Sequence, residues 1–129
     1  ILDCDAKLQD ITTAALAAVR FGASADRLTV RGCMFTGNYT NAVIEGDAGA
    51  PVDVSIAHNA LSNSQTTAID GIIDLNSGTK GFIPYNGGKH GSTASLNNAI
   101  DAASCAAIEN YFQNTDGESG GITPSTRST

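Results

Sequence analysis

The chain has 129 residues, of which only 16% are charged, and its 13 acidic against 7 basic side chains leave a formal net charge of −6. That length holds one domain with a modest core and excludes a two-domain enzyme with a separate cofactor domain. The acidic balance excludes a nucleic-acid partner bound by phosphate neutralisation, and no run approaches the ~18 consecutive apolar residues of a membrane span, so no membrane partner is expected.

Ala, Gly, Ser, Thr and Asn account for 67 residues, whereas Leu, Ile, Val and Phe account for 27. Such a chain stays ordered only if its few apolar residues recur in regularly spaced short strands. The first candidate element, 11–19 (ITTAALAAV), follows Asp10, an acceptable helix N-cap, and is rich in the best helix former. It also ends on Val19-Arg20, an aliphatic residue followed by a charged one, and that doublet returns as Ile44-Glu45, Ile73-Asp74 and Ile100-Asp101 at steps of 25, 29 and 27.

A second series runs out of phase with the first. Residues 28–38 read LTVRGCMFTGN and 54–64 read VSIAHNALSNS. At an offset of 26, Leu28 meets Val54, Val30 meets Ile56, Phe35 meets Leu61 and Gly37 meets Asn63. The first half alternates apolar and polar as a one-sided strand does; the second half reads as a turn. Residues 109–115 (ENYFQNT) repeat that turn-like half, with Phe112 in the place of Phe35 and Leu61. The intervening copy is expected near Tyr85 within 81–88 (GFIPYNGG), where Phe82 and Ile83 supply the strand. Residues 98–112 also carry a helical spacing, but both helix-like segments fit the repeat, which favours strands over an α+β fold with one or two helices.

A unit of about 26 residues with two or three short strands, separated by segments such as GASAD, GDAGAP and NSGTKG, cannot bury its own apolar face. Stacking of successive units supplies the cover, which describes a parallel β-solenoid of about four coils over 1–116. The remainder, 117–129 (GESGGITPSTRST), is polar and aperiodic and is expected to form an extended arm. Asn38, Asn59, Asn63, Asn110 and Asn114 fall at or near turns. Stacked amides would satisfy one another there, and turn chemistry alone also accounts for them.

The combination of LTVRGCMFTGN, VSIAHNALSN and ENYFQNT resembles the rungs of right-handed parallel β-helices of the pectin-lyase-like kind, and in particular the short β-helical proteins of bacteriophage virions. The resemblance implies a structural piece of a capsid, tail or fibre. Polysaccharide lyases and glycoside hydrolases share the architecture, so the chemistry must decide.

Hydrolysis of a glycosidic bond needs two carboxylates across a groove. The candidates are Asp3 with Asp5, two apart along a strand; Asp70 with Asp74; and the column Glu45, Asp74 and Asp101, stacked over Arg20 on what reads as a solvated face. Lyase chemistry would add basic residues and Ca²⁺-binding acids, for which only Lys80 and Lys89 are near. His58 aligns with Gly32 at a turn; neither it nor His90 has ligand-like spacing to a cysteine. Cys4, Cys33 and Cys105, at spacings of 29 and 72, read as small core residues, although stacking of touching coils would allow one disulfide. Asn38-Tyr39-Thr40 matches a glycosylation sequon by chance in an Asn- and Thr-rich stretch.

No residue is therefore assigned a catalytic, cofactor-binding or metal-binding role, and no cofactor is expected. The expected function is that of a non-enzymatic virion protein whose partners are other virion proteins and copies of itself, as a homotrimer. A small carbohydrate-active or carbohydrate-binding module that meets surface polysaccharide is the alternative.

Overall fold

A computed structural model describes residues 1–7, 13–22, 25–46, 53–65, 71–75, 78–91, 99–102 and 104–113. All secondary structure among them is β. After β1 (Asp5–Lys7) the strands come in triplets: β2 (Val19–Phe21), β3 (Arg27–Arg31) and β4 (Met34–Gly37); β5 (Ile44–Gly46), β6 (Asp53–Ala57) and β7 (Ala60–Asn63); β8 (Ile73–Asp74), β9 (Gly81–Pro84) and β10 (Gly87–His90); β11 (Ile100–Asp101), β12 (Cys105–Ile108) and β13 (Tyr111–Gln113). Each member of a triplet joins a different parallel sheet. The first sheet is β2-β5-β8-β11, the second β3-β6-β9-β12 and the third β1-β4-β7-β10-β13.

This is a parallel β-solenoid of the expected ~26-residue period. Three full turns separate β2 from β11, so it amounts to about three turns rather than about four coils. The helical alternative does not occur among the described residues: Val19 opens β2, and 98–112 contributes β11, β12 and part of β13. Asn98, Ile11 and Thr12 lie outside the described residues, as do Asn114 and the arm at 117–129.

The register reproduces the sequence repeat residue by residue. Val19, Ile44, Ile73 and Ile100 are successive partners in the first sheet, and all four are buried. Leu28 pairs with Val54, Val30 with Ile56, Phe35 with Leu61 and Gly37 with Asn63. The alternating segments bury every second side chain, as in the exposed-buried alternation of β6, because successive residues of a strand point to opposite faces. The inward-pointing aliphatics of neighbouring coils then lie about 4.8 Å apart and exclude water from one another.

One expectation is corrected. The half-repeat that reads as a turn is a strand of its own, so each period holds three strands, the larger of the two numbers expected; MFTG and ALSN are β4 and β7. The third-coil copy of the Phe35 and Leu61 position falls within 81–88 as expected, at Gly88, which pairs with Leu61 on one side and Phe112 on the other. A Cβ at Gly88 would run into the backbone carbonyl of Leu61, so the close approach of the third coil demands a glycine where its neighbours carry large side chains.

Candidate functional site

The turn between the second and third sheets is built identically in each coil. It has two residues, and the first adopts a left-handed conformation: Gly32, His58, Tyr85 and Glu109 have φ of 65, 56, 57 and 49°, and Asp3 precedes them with 47°. The placement of His58 over Gly32 at a turn is borne out. All five are exposed and form a ridge along the solenoid.

The second residue of each turn points inward, and there the chain builds an asparagine ladder. The backbone N–H of Asn59 donates to Oδ1 of Asn86 (3.1 Å), and that of Asn86 to Oδ1 of Asn110 (2.8 Å). The amide nitrogens of Asn59, Asn86 and Asn110 donate back to the carbonyls of Val30, Ile56 and Ile83 at 3.0, 2.8 and 2.6 Å. An amide is suited to this place because it donates and accepts at once, and buried backbone groups at a corner need both. Asn59 and Asn110 stand among the turn asparagines singled out from the sequence; Asn86 does not, although laying GFIPYN under VSIAHN places it beneath Asn59. Asn63 serves a different corner, accepting from the Tyr39 N–H and donating to the Tyr39 carbonyl, both at 2.9 Å.

Around the ridge, apolar side chains face solvent. Pro84 pairs with Ile108 on the second sheet and Gly87 with Tyr111 on the third, with Tyr85 on the turn between. Tyr85, Ile108 and Tyr111 are 48%, 44% and 58% exposed, and Phe82 on the same side is 62% exposed. The rings of His58 and Tyr85 stack along the ridge with centroids 5.1 Å apart and planes at 17°.

The acidic column has the expected register: Arg20, Glu45, Asp74 and Asp101 are successive partners in the first sheet. Its face is not simply solvated, however. Glu45 is buried, with Oε2 3.3 Å from Nε of Arg20 and Oε1 accepting from Nδ2 of Asn41 at 2.9 Å, while Asp74 and Asp101 are half-buried. Glu45 sinks because its neighbours are the buried Val43 and Ile44, and these two contacts partner its carboxylate oxygens there. Asp70 lies outside the described residues. Asp3 and Asp5 do not share a strand: Asp3 occupies the left-handed turn position and Asp5 opens β1, both exposed.

Lys80 precedes β9 in the second sheet and Lys89 lies in β10 of the third, so the two are not brought to one place. His90 is buried at the end of β10, far from the ridge of His58, and burial pushes its imidazole pKa below the ordinary 6.5. It adjoins a concavity of about 230 Å³ lined by Thr36, Ser62, Ser64 and Lys89. Cys33 and Cys105 are buried and Cys4 is half-buried, in keeping with their reading as core residues. Within the sequon, Tyr39 is buried. Among the described residues no three His, Cys, Asp or Glu side chains converge as a metal-binding group.

Comparison with protein-family models, with curated proteins and with solved structures found no match to this chain.

Proposed function

We propose that this β-solenoid is a non-enzymatic structural protein of a bacteriophage particle, a capsid decoration or a tail or fibre component, that works through contacts with other particle proteins and with copies of itself in a homotrimer. The observation that carries the assembly role is the apolar surface of Tyr85, Pro84, Ile108 and Tyr111 beside the ladder corner. Isolated exposed hydrophobics need no explanation, but adjoining ones on a rigid sheet edge mark a contact surface. The placement in a virion rests on the resemblance of the rungs. Light-scattering mass of the purified chain tests the assembly role: a mass of three chains is expected, falling to one chain in a Tyr85→Ser/Ile108→Ser variant that keeps its β circular-dichroism spectrum. A wild-type monomer at high concentration would overturn it.

The stacked His58 and Tyr85 rings favour a second reading, a carbohydrate-binding or carbohydrate-active module, because ring faces on a ridge can lie against sugar rings. Under that reading surface polysaccharide yields new reducing ends or unsaturated uronates, lost in Asp74→Asn, or is retained by the wild type and released by Tyr85→Ala.

A further inference from the structure

At its N-terminal end the inward turn column changes chemistry. Asn110, Asn86 and Asn59 are followed by Cys33, whose backbone N–H still donates to Oδ1 of Asn59 at 2.9 Å, and then by Cys4. The pairing of Asp5 with Met34 and the 2.7 Å bond from the Met34 N–H to the Cys4 carbonyl set Cys4 directly over Cys33 in the next coil. Side chains at this position of adjacent coils touch: Nδ2 of Asn59 lies 2.8 Å from Oδ1 of Asn86, and Nδ2 of Asn86 lies 2.9 Å from Oδ1 of Asn110. The sulfur of Cys33 follows the same rule, lying 3.4 Å from the backbone nitrogen of Cys4, three bonds from the Cys4 sulfur. Adjacent parallel strands stand about 4.8 Å apart, inside the ~4.4–6.8 Å range of Cα separations that a disulfide spans.

We infer that Cys4 and Cys33 form an oxidisable pair, a site for one disulfide that staples the first strand strip to the coil beneath it, with Cys105 left as a thiol. This is independent of the proposed function. The oxidant is a small-molecule disulfide such as oxidised glutathione. The half-buried Cys4 is the accessible partner: its thiolate attacks one sulfur of the oxidant and releases the first glutathione, and Cys33 then attacks the mixed disulfide at Cys4 and releases the second. Two protein thiols are oxidised by two electrons, one disulfide is reduced to two thiols, and the two protons leave with the released glutathione. Cys105 belongs to a different column, opposite Gly81, where its sulfur donates to the Thr79 carbonyl at 3.4 Å and burial pushes its pKa up to about 11, so it stays protonated and unreactive.

What the bridge would secure is visible in the contacts of the leading residues. Ile1 and Asp3 are held to the solenoid by two backbone bonds to Arg31, at 3.0 and 2.9 Å. A covalent tie at Cys4 sits next to them and closes the chain between the strip and β4.

The full folded chain is incubated with oxidised glutathione, the remaining thiols are counted in denaturant, and a tryptic digest is mapped without reduction. The expected result is a fall from three thiols to one, a mass lower by two hydrogen atoms, and peptide 1–7 joined to peptide 32–80. Cys105→Ala forms the same bridge, whereas Cys33→Ser stops at Cys4 carrying one glutathione. A bridge that includes Cys105, a disulfide-linked dimer, or a persistent glutathione adduct on the wild type would each overturn the assignment. Circular dichroism before and after oxidation establishes that the pair reacts within the folded solenoid.

Discussion

The connection from the second sheet to the third takes two residues in every coil, at 32–33, 58–59, 85–86 and 109–110, whereas the connections between the other sheets take from three to eleven. Both kinds of turn join strands that stack in register, so the sheets themselves do not require a constant length. The constant corner has a left-handed residue that bends the chain from one sheet into the next and, at 58–59, 85–86 and 109–110, an amide that bonds to the adjacent coil. An inserted residue there would swing the amide to the outer face and leave buried carbonyls unpaired. The variable connections carry a single such rung among the described residues, Asn63 with Tyr39, rather than a continuous ladder, and can lengthen at the cost of loop entropy, which rises slowly with length. The comparison teaches that register is set at one corner and merely followed at the others.

The largest effect is expected from cutting that corner at its centre. Asn86→Ala removes the acceptor for the Asn59 N–H and the donor to the Ile56 carbonyl, leaving two or more buried backbone groups without partners. At ~1–3 kcal/mol for each, the loss is about 3–5 kcal/mol in urea unfolding, with no dependence on salt because amides carry no charge. A loss below about 1 kcal/mol would mean that the strands hold register without the ladder.

Away from the ladder, a titrating group should make stability depend on pH. His90 has its folded pKa pushed below the ordinary 6.5 by burial, so below pH 6.5 the unfolded chain takes up the proton first. Its contribution is therefore fully present above 6.5 and declines as the pH falls towards the folded value, at no more than about 1.4 kcal/mol per pH unit. Denaturation midpoints of the wild type and His90→Gln, compared between about pH 7 and pH 5.5, should show the slope shrinking in the variant. An unchanged slope would assign it to other groups.

The smallest effect is expected at the charged column. Arg20→Ala removes the ion pair to Glu45, but Arg20 is exposed and solvent screens the pair, so the cost is about 0–1 kcal/mol and fades in high salt. A loss comparable to that of Asn86→Ala would place the charged column beside the ladder as a register device.

Much of this architecture was legible beforehand. The doublets Val19-Arg20, Ile44-Glu45, Ile73-Asp74 and Ile100-Asp101 pair as their spacing implies, because a residue buried in one coil needs an apolar residue above it in the next. Phe112 takes the position of Phe35 and Leu61 for the same reason. The candidate site was less legible. Tyr85 and Asn86 fall in a segment whose glycines obscure the repeat, and the exposure of Tyr85, Ile108 and Tyr111 depends on which face of each short strand turns outward. Glu45 reads as a surface acid in one dimension and is buried in three, since a doublet shows only that a charge follows an aliphatic residue, not how close Asn41 and Arg20 lie.

By itself the sequence determined the period, the parallel stacking and the aliphatic columns, because these follow from alternation and spacing along one chain. Only the tertiary structure decided that each period has three strands, that Gly88 sits where its neighbours carry bulk, and that the asparagine column ends in two stacked cysteines. Those outcomes turn on contacts between residues some 24 to 29 positions apart, where a carbonyl, an amide or a sulfur meets the adjacent coil, and no local pattern encodes such distances.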